Sequence, residues 1–432
     1  MPQPNNSSLA SPQFNRRWAR QLSFLLKTLR NGECYELLQQ IGPEQLPKAL
    51  VALRARLLRP LVEQGQKQIM DLLATYRDAE FVILFPPGLN WSTQLFQRPQ
   101  QIAKALAQQG AVVFYIQPGL NRNEPAIHQL QERLYLCNTP LESFRSIPHL
   151  YQYLLTWNSK FEQRIPQAEI LYDYLDDLSA FPGSPARLEA EHQHLLRDAR
   201  LVLATSQQLY THAHQFREDV ILCPNAVEAS WVVPNRLATA MNPPADLRPV
   251  LTSGRALIGY HGALAAWFDY ELLDSVATAR LDLEFVLIGP NQDNSLPAAL
   301  LKKPNVHWLG AKSYAELPTY LQYFEVGMIP FRLNAITHAT SPIKLFEYMA
   351  ARKPVVATPI QEVLRYPAVL TGSDPEEFCK CLEKALQLKN DQQYLNSLQE
   401  VALENTWDSR ARQILDALRS RASSQVGNPN RV

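Results

Sequence analysis

The sequence predicts an α/β protein of two units in tandem, each a parallel sheet covered by helices, preceded by a basic helical extension. Three observations lead there. The chain has 432 residues, and at about 150 residues per domain two or three domains are expected. From residue 80 onward, short runs that are apolar throughout alternate with helical stretches, the pattern of parallel strands buried on both faces. A proline-rich polar segment divides those runs into two sets.

The elements follow in order. Residues 1–78 form the extension, where FLLKTLR and LPKALVALRARLLRPLVEQ place apolar residues at three- and four-residue spacing with arginines between. Residues 1–70 hold ten Lys or Arg against four Glu, a net of +6, although the whole chain carries only +1. That asymmetry suits either an anionic membrane surface or a solvated face of a packed helix. The first unit, residues 79–232, contains FVILF (81–85), VVFYI (112–116), LYL (134–136), ILYDY (170–174), LVLAT (201–205) and VILC (220–223). Residues 233–255 read as a linker. The second unit, 256–404, contains LIGY (257–260), FVLIG (285–289), VHWLG (306–310), VGMIP (326–330), PVVAT (354–358) and AVL (368–370). A last helix, 405–420, with Asp408 as its cap and Trp407 packed at the crossing, is expected to return to the first unit, and 421–432 read as a disordered tail.

Composition excludes several classes. Charges balance at 42 Lys or Arg against 41 Asp or Glu, which gives no footprint for nucleic acid. Five scattered cysteines make neither a disulfide framework nor a zinc site. No segment approaches the roughly 20 apolar residues of a membrane span, and the N-terminus lacks an apolar signal core. A cytoplasmic protein is expected, with the extension as the candidate contact to the inner membrane face. Glycine is scarce, 15 in all, and six of them (Gly88, Gly119, Gly262, Gly289, Gly310, Gly372) follow closely on expected strands, where a cleft should open.

The most informative segment is PFRLNAITHATSPIKLFEYMAARKPVVAT (330–358). It reads strand end, loop, helix, strand. Ser341 as cap and Pro342 at the first helical position would start the helix, whose first-turn N–H groups and dipole attract an anion. Lys344 adds a full charge in that turn, and Arg332 and His338 lie in the loop before it. Glu347, one turn on, could accept hydrogen bonds from both hydroxyls of a ribose. Phosphate and ribose at this spacing point to a nucleoside diphosphate; the competing reading is a Lys–Glu pair on an amphipathic helix. In GYHGAL, Gly262 would allow close backbone approach to phosphate, and His261 would either touch the diphosphate or sit buried and satisfied.

In the first unit, FPPGLNWSTQLFQRPQ (85–100) follows the first strand. Gly88 permits close approach, Trp91 could stack on a sugar, and Arg98 could hold the acceptor; alternatively Trp91 is a core aromatic and Arg98 a helix-start ion pair. In LYDYLDDLSAF (171–181), Asp176 and Asp177 could orient or deprotonate an acceptor hydroxyl, or Asp177 caps a helix while Asp173 and Asp176 face solvent.

The stretch SPIKLFEYMAARKPVVAT resembles the donor-binding signature of group 1 (family 4) retaining glycosyltransferases of the GT-B fold, two Rossmann-like domains facing a cleft. WSTQLFQRPQQIAKALAQQG (91–110), LIGYHGALAAWFDYELLDSV (257–276) and NTWDSRARQIL (405–415) are similar to the branch that makes teichuronic acid and related surface polysaccharides. The resemblance covers roughly residues 80–420. It implies that Glu347 is the ribose-binding second glutamate of an E-x7-E motif, with Ala339 where the first glutamate would stand. It also implies that GALAAWFD replaces the Arg and Lys that many members use for the diphosphate. Lys344, the helix start and Arg332 are left to serve it.

The expected function is transfer of a sugar from a nucleoside diphosphate sugar to a glycan or lipid-linked acceptor hydroxyl, with retention of configuration and neither metal nor cofactor. Two alternatives stand beside it. A non-catalytic sugar sensor or assembly partner is favoured by Ala339, and an epimerase on the same fold would need an acid/base pair that the sequence does not display. A nicotinamide-dependent oxidoreductase is disfavoured, since no G-x-G-x-x-G follows a strand.

Overall fold

The computed structural model describes residues 48–119, 124–180, 185–232 and 242–426. Two sheets organise it. The first comprises β1 (Val82–Phe85), β2 (Val112–Ile116), β3 (Ile127–Gln131), β4 (Leu134–Cys137), β5 (Leu150–Leu155), β6 (Glu169–Tyr174), β7 (Leu201–Ala204) and β8 (Ile221–Leu222), in the order β3-β4-β2-β1-β5-β6-β7-β8. All its neighbours pair in parallel except β3, which runs antiparallel to β4. The second comprises β9 (Ala256–His261), β10 (Leu283–Ile288), β11 (Val306–Trp308), β12 (Val326–Ile329), β13 (Val355–Ala357) and β14 (Leu370–Thr371), in the order β11-β10-β9-β12-β13-β14 and wholly parallel. In each sheet the chain winds outward from a central strand and then crosses to its other side. Crevices therefore open at the carboxyl ends between β1 and β5 and between β9 and β12.

The helices are α1 (Lys48–Leu73), α2 (Arg98–Gln108), α3 (Pro185–Asp198), α4 (Gln207–His214), α5 (Arg248–Leu251), α6 (Tyr270–Ala279), α7 (Leu317–Leu321), α8 (Ala335–His338), α9 (Ile343–Ala350), α10 (Pro375–Leu388), α11 (Gln392–Glu404) and α12 (Trp407–Val426).

Two strands go beyond the sequence reading. β5, LYQYLL, is buried at every position; Gln152 interrupts its apolar run and is accommodated by donating from Nε2 to Phe161 O at 3.0 Å. β3, IHQLQ, is a half-exposed edge strand with no apolar run to betray it. The expected linker also differs. Leu247 and Val250 are buried in the core of the second unit, so the segment around α5 belongs to that unit. Residues 233–241 lie outside the described residues, as do 1–47 and 427–432.

Of the extension, α1 is described. Leu58 and Ile69 are buried, and Gly65 lies so close to the body that a Cβ there would meet Thr139 Oγ1 at 2.1 Å. Arg56 and Arg59 face outward, with Arg59 paired to Glu63 at 2.8 Å. At the other end, α12 packs on α2 of the first unit, burying Trp407, Ile414 and Leu418 in that unit's core. Its cap is Thr406, whose Oγ1 accepts from the Ser409 N–H at 3.2 Å; Asp408, expected as the cap, instead accepts from Gln109 Nε2 at 3.4 Å. The two crossings between units run side by side, with Val227 N–H donating to Asn405 O and Trp407 N–H to Val227 O, each at 3.0 Å.

Candidate functional site

A cavity of about 440 Å³ lies between the two units, at the carboxyl ends of β9, β10 and β12. On the second-unit side its wall includes His261, Gly262, Gly289, Phe331, Ser341, Pro342, Lys344 and Glu347. The first unit contributes Gln94, Leu95, Phe96, Asp176 and Asn225.

The β9 turn depends on glycine. Gly262 has φ +127°, and a Cβ on it would stand 2.9 Å from Lys344 Cε. Gly289, at φ +147°, lies against it so closely that a Cβ would fall 1.9 Å from Gly262 O. These stacked turns make a shallow seat for Lys344. The ammonium lies 5.1 Å from the centre of the Tyr260 ring and 4.9 Å from that of Phe331, so cation–π attraction holds it where carboxylates do not. Burial pushes Lys344 down to about 8, partly opposed by Glu347.

Glu347, one turn along α9, is 2% exposed. Burial pushes it up to about 8, with Lys344 opposing. His261 Nε2 approaches Glu347 Oε2 at 3.2 Å but without hydrogen-bond alignment, so Nε2 has no partner. Burial and then Lys344 push His261 down to about 3, leaving it neutral at physiological pH. The Tyr314 hydroxyl is likewise buried without an aligned partner. A neutral Glu347 can donate one hydrogen bond and accept another, and the donors and acceptors grouped around it suit a polyol such as ribose.

The helix start is placed one residue later than the sequence suggests. Pro342, not Ser341, occupies the cap position of α9, with no side-chain cap. Ser341 is engaged elsewhere: its Oγ accepts from Asn225 N–H at 3.2 Å and its carbonyl from Asn225 Nδ2 at 2.5 Å.

Other expected site residues lie elsewhere. Arg98, expected to hold the acceptor, is 1% exposed; its Nε and Nη2 bind Asp173 at 2.7 and 3.0 Å. The helix-start ion pair is thus the observed arrangement, and Asp173 is buried, not solvated. Trp91 stands behind the wall, packed edge-on against Phe96 at 5.4 Å and Tyr115 at 5.1 Å, and Phe96 takes the lining position. Gly88 lies off the cavity wall, and a Cβ there would meet only ordinary contacts, the nearest at 3.4 Å. Arg332 is exposed, its nearest carboxylate being Glu271 at 3.9 Å; it is not on the cavity wall. Asp177 accepts from Ser179 N–H and Oγ at 2.9 and 2.6 Å. Asp176 alone of the acidic run lines the cavity, and burial, followed by Asp173 and Asp177, pushes it up to about 6. Ala339 is fully buried in the core of the first unit.

Phe96, Tyr314 and Asn225 were not singled out by the sequence. Tyr314 stacks on Trp231 at 5.0 Å and tilts against Phe96 at 5.6 Å, joining the two units across the cavity mouth. Only their convergence in space marks them.

Two facing Rossmann-like sheets with this site between them are the GT-B fold, and within the second unit residues 255–388 match the family model described as "Glycosyl transferases group 1". Among curated proteins the chain is similar to the putative teichuronic acid biosynthesis glycosyltransferase TuaH of Bacillus subtilis, 29% identical over 207 residues. That match takes in 46% of this chain and spans half the length of that relative, 50%. Solved structures with the same fold include sucrose-phosphate synthase from Thermosynechococcus elongatus (TM-score 0.58, 14% identity, 80% of this chain and 100% of that one). The HepE protein of Anabaena in complex with UDP-glucose also matches (TM-score 0.58, 16% identity, 79% of this chain and 100% of that one). The expected fold is borne out, and the matches fall in the family and branch that the sequence resembles.

Proposed function

We propose that the chain transfers a sugar from a nucleoside diphosphate sugar to an acceptor hydroxyl in the making of a surface polysaccharide or glycolipid. One observation carries the reading: a half-buried ammonium, Lys344, is seated over Gly262 at the start of α9, with the buried Glu347 one turn behind it. A diphosphate needs such a cation and helix start, and a ribose joined to it needs hydrogen-bonding groups about one turn away. The UDP-glucose bound by the Anabaena neighbour favours a uridine nucleotide.

In the reaction the bond from the anomeric carbon to the diphosphate oxygen breaks, the diphosphate keeps the electron pair, and the acceptor oxygen bonds to the carbon. Lys344 and the α9 start stabilise the departing charge. Asp176, across the cavity, takes the acceptor hydroxyl's proton. Retention of configuration and independence of metal are what the family resemblance implies. The acceptor is a glycan or lipid-linked glycan, and the basic extension would bring the protein to an anionic membrane face. No helix among the described residues is long and apolar enough to cross a membrane.

The test is release of nucleoside diphosphate from UDP-sugars by the purified chain, alone and with glycan acceptors. Release that is abolished in Lys344→Ala supports the assignment. Nucleotide binding without release favours the second reading, a sugar-binding protein without catalysis, to which Ala339 points. Neither binding nor release overturns both.

A further inference from the structure

A buried polar chain crosses between the units just ahead of α9. It starts at Asp173, at the carboxyl end of β6, which holds Arg98 through two bonds and accepts from the Tyr153 hydroxyl at 2.7 Å. Arg98 Nη1 donates onward to Pro224 O at 3.2 Å and to Asn225 Oδ1 at 3.3 Å. Asn225 then reaches into the second unit and grips Ser341 twice, through its backbone N–H and through Nδ2. Arg98, Asp173, Asn225 and Ser341 are each less than a tenth exposed.

We propose that Asn225 is a positioning residue for the donor site: by clamping Ser341 from the opposite unit, it aims the start of α9, and with it Lys344, into the cavity. The inference rests on the reading that this helix start receives the diphosphate. Two hydrogen bonds to one residue fix its orientation as well as its position, and Ser341 is separated from the first residue of α9 only by Pro342. The Arg98 charge draws electron density from the Asn225 amide oxygen, which strengthens its Nδ2 as a donor. Because the α9 backbone has no side-chain cap of its own, this contact supplies the outside restraint that a capping serine would otherwise give. Closing the cleft and aligning the donor helix thereby become one event, since the clamp exists only when the two units meet.

The test uses the full chain and a panel of UDP, GDP, ADP, CDP and TDP, measured by titration calorimetry without acceptor. Asn225→Asp keeps the size of the side chain and the oxygen facing Arg98, and replaces the donor facing Ser341 O by an anionic oxygen. Asn225→Leu, which removes the donor at similar size and adds no charge, should weaken binding by the same factor, and a loss confined to the aspartate would overturn the proposal. The expected result is about tenfold weaker binding of the preferred diphosphate, the worth of one or two hydrogen bonds. Amide exchange should quicken over residues 343–347, while that of 169–174 stays at its wild-type rate. A change that merely loosened the first unit would quicken 169–174 as well, and that result would overturn the proposal, as would wild-type affinity. Should Asn225→Asp fail to fold, Ser341→Ala, which removes the Oγ acceptor alone, carries the test. A loss of about threefold or more supports the clamp, and unchanged binding refutes it. If wild type binds none of the diphosphates, or Lys344→Ala binds them equally well, the donor-site reading itself fails.

Discussion

Replacing Gly262 by alanine adds one methyl group at the point where the turn after β9 meets Lys344. The methyl carbon would stand 2.9 Å from Lys344 Cε and 3.1 Å from Nζ, on a backbone at φ +127°. That conformation suits glycine alone, and holding an alanine there costs about 2 kcal/mol. For a unit of this size such a loss lowers the melting temperature by roughly 4–8 °C. The ammonium must also leave its place between Tyr260 and Phe331, and a charge-assisted hydrogen bond to a phosphate is worth about 1.5–3 kcal/mol. UDP binding should therefore weaken by roughly 10- to 150-fold. Gly310→Ala is the control: its φ is +70°, and a Cβ there meets nothing within 4 Å. It should leave UDP affinity at the wild-type value. Thermal unfolding and titration calorimetry on both variants read the result. Wild-type stability and affinity in Gly262→Ala would refute the argument that this turn seats the cation.

The pH profile of kcat/KM should rise through about 6 as Asp176 ionises and fall through about 8 as the Lys344–Glu347 pair loses its protons. Asp176→Asn should erase the acidic limb, and a profile unchanged by that substitution would remove Asp176 from the chemistry. Asp173→Asn leaves Arg98 charged, buried and without its counter-ion, which should destabilise the first unit by about 3–5 kcal/mol in urea denaturation. A loss below about 1 kcal/mol would show that the pair's charge is not needed. Deleting residues 1–47 should weaken co-flotation with vesicles rich in anionic phospholipid, and unaltered flotation would detach that part of the basic extension from any membrane role.

Runs such as VVFYI and FVLIG were legible because a strand buried on both faces has no polar position to disguise it. β5 escaped the same reading because Gln152 breaks its run, and that glutamine is tolerated only through Phe161 O, nine residues away. Local capping rules made Ser341 a helix cap, but Asn225, 116 residues earlier, claims its hydroxyl. A tertiary partner overrode a local preference. Arg98 shows the same limit: its charge suggested a ligand, whereas Asp173, 75 residues on, holds it in the core. Lys344 and Glu347 were readable as neighbours on the cavity wall because their spacing along a single helix is displayed directly in the sequence. Tyr314 and Phe96 become neighbours only when the two units face each other.

If the start of α9 and Lys344 form a diphosphate site, calorimetric titration of UDP into wild type and Lys344→Ala will read it. Binding to wild type should be saturable and at least tenfold weaker in the variant, with wild-type affinity falling as pH rises above about 8. Equal affinity in the two proteins, or wild-type affinity that does not change from pH 7 to 9, would contradict it.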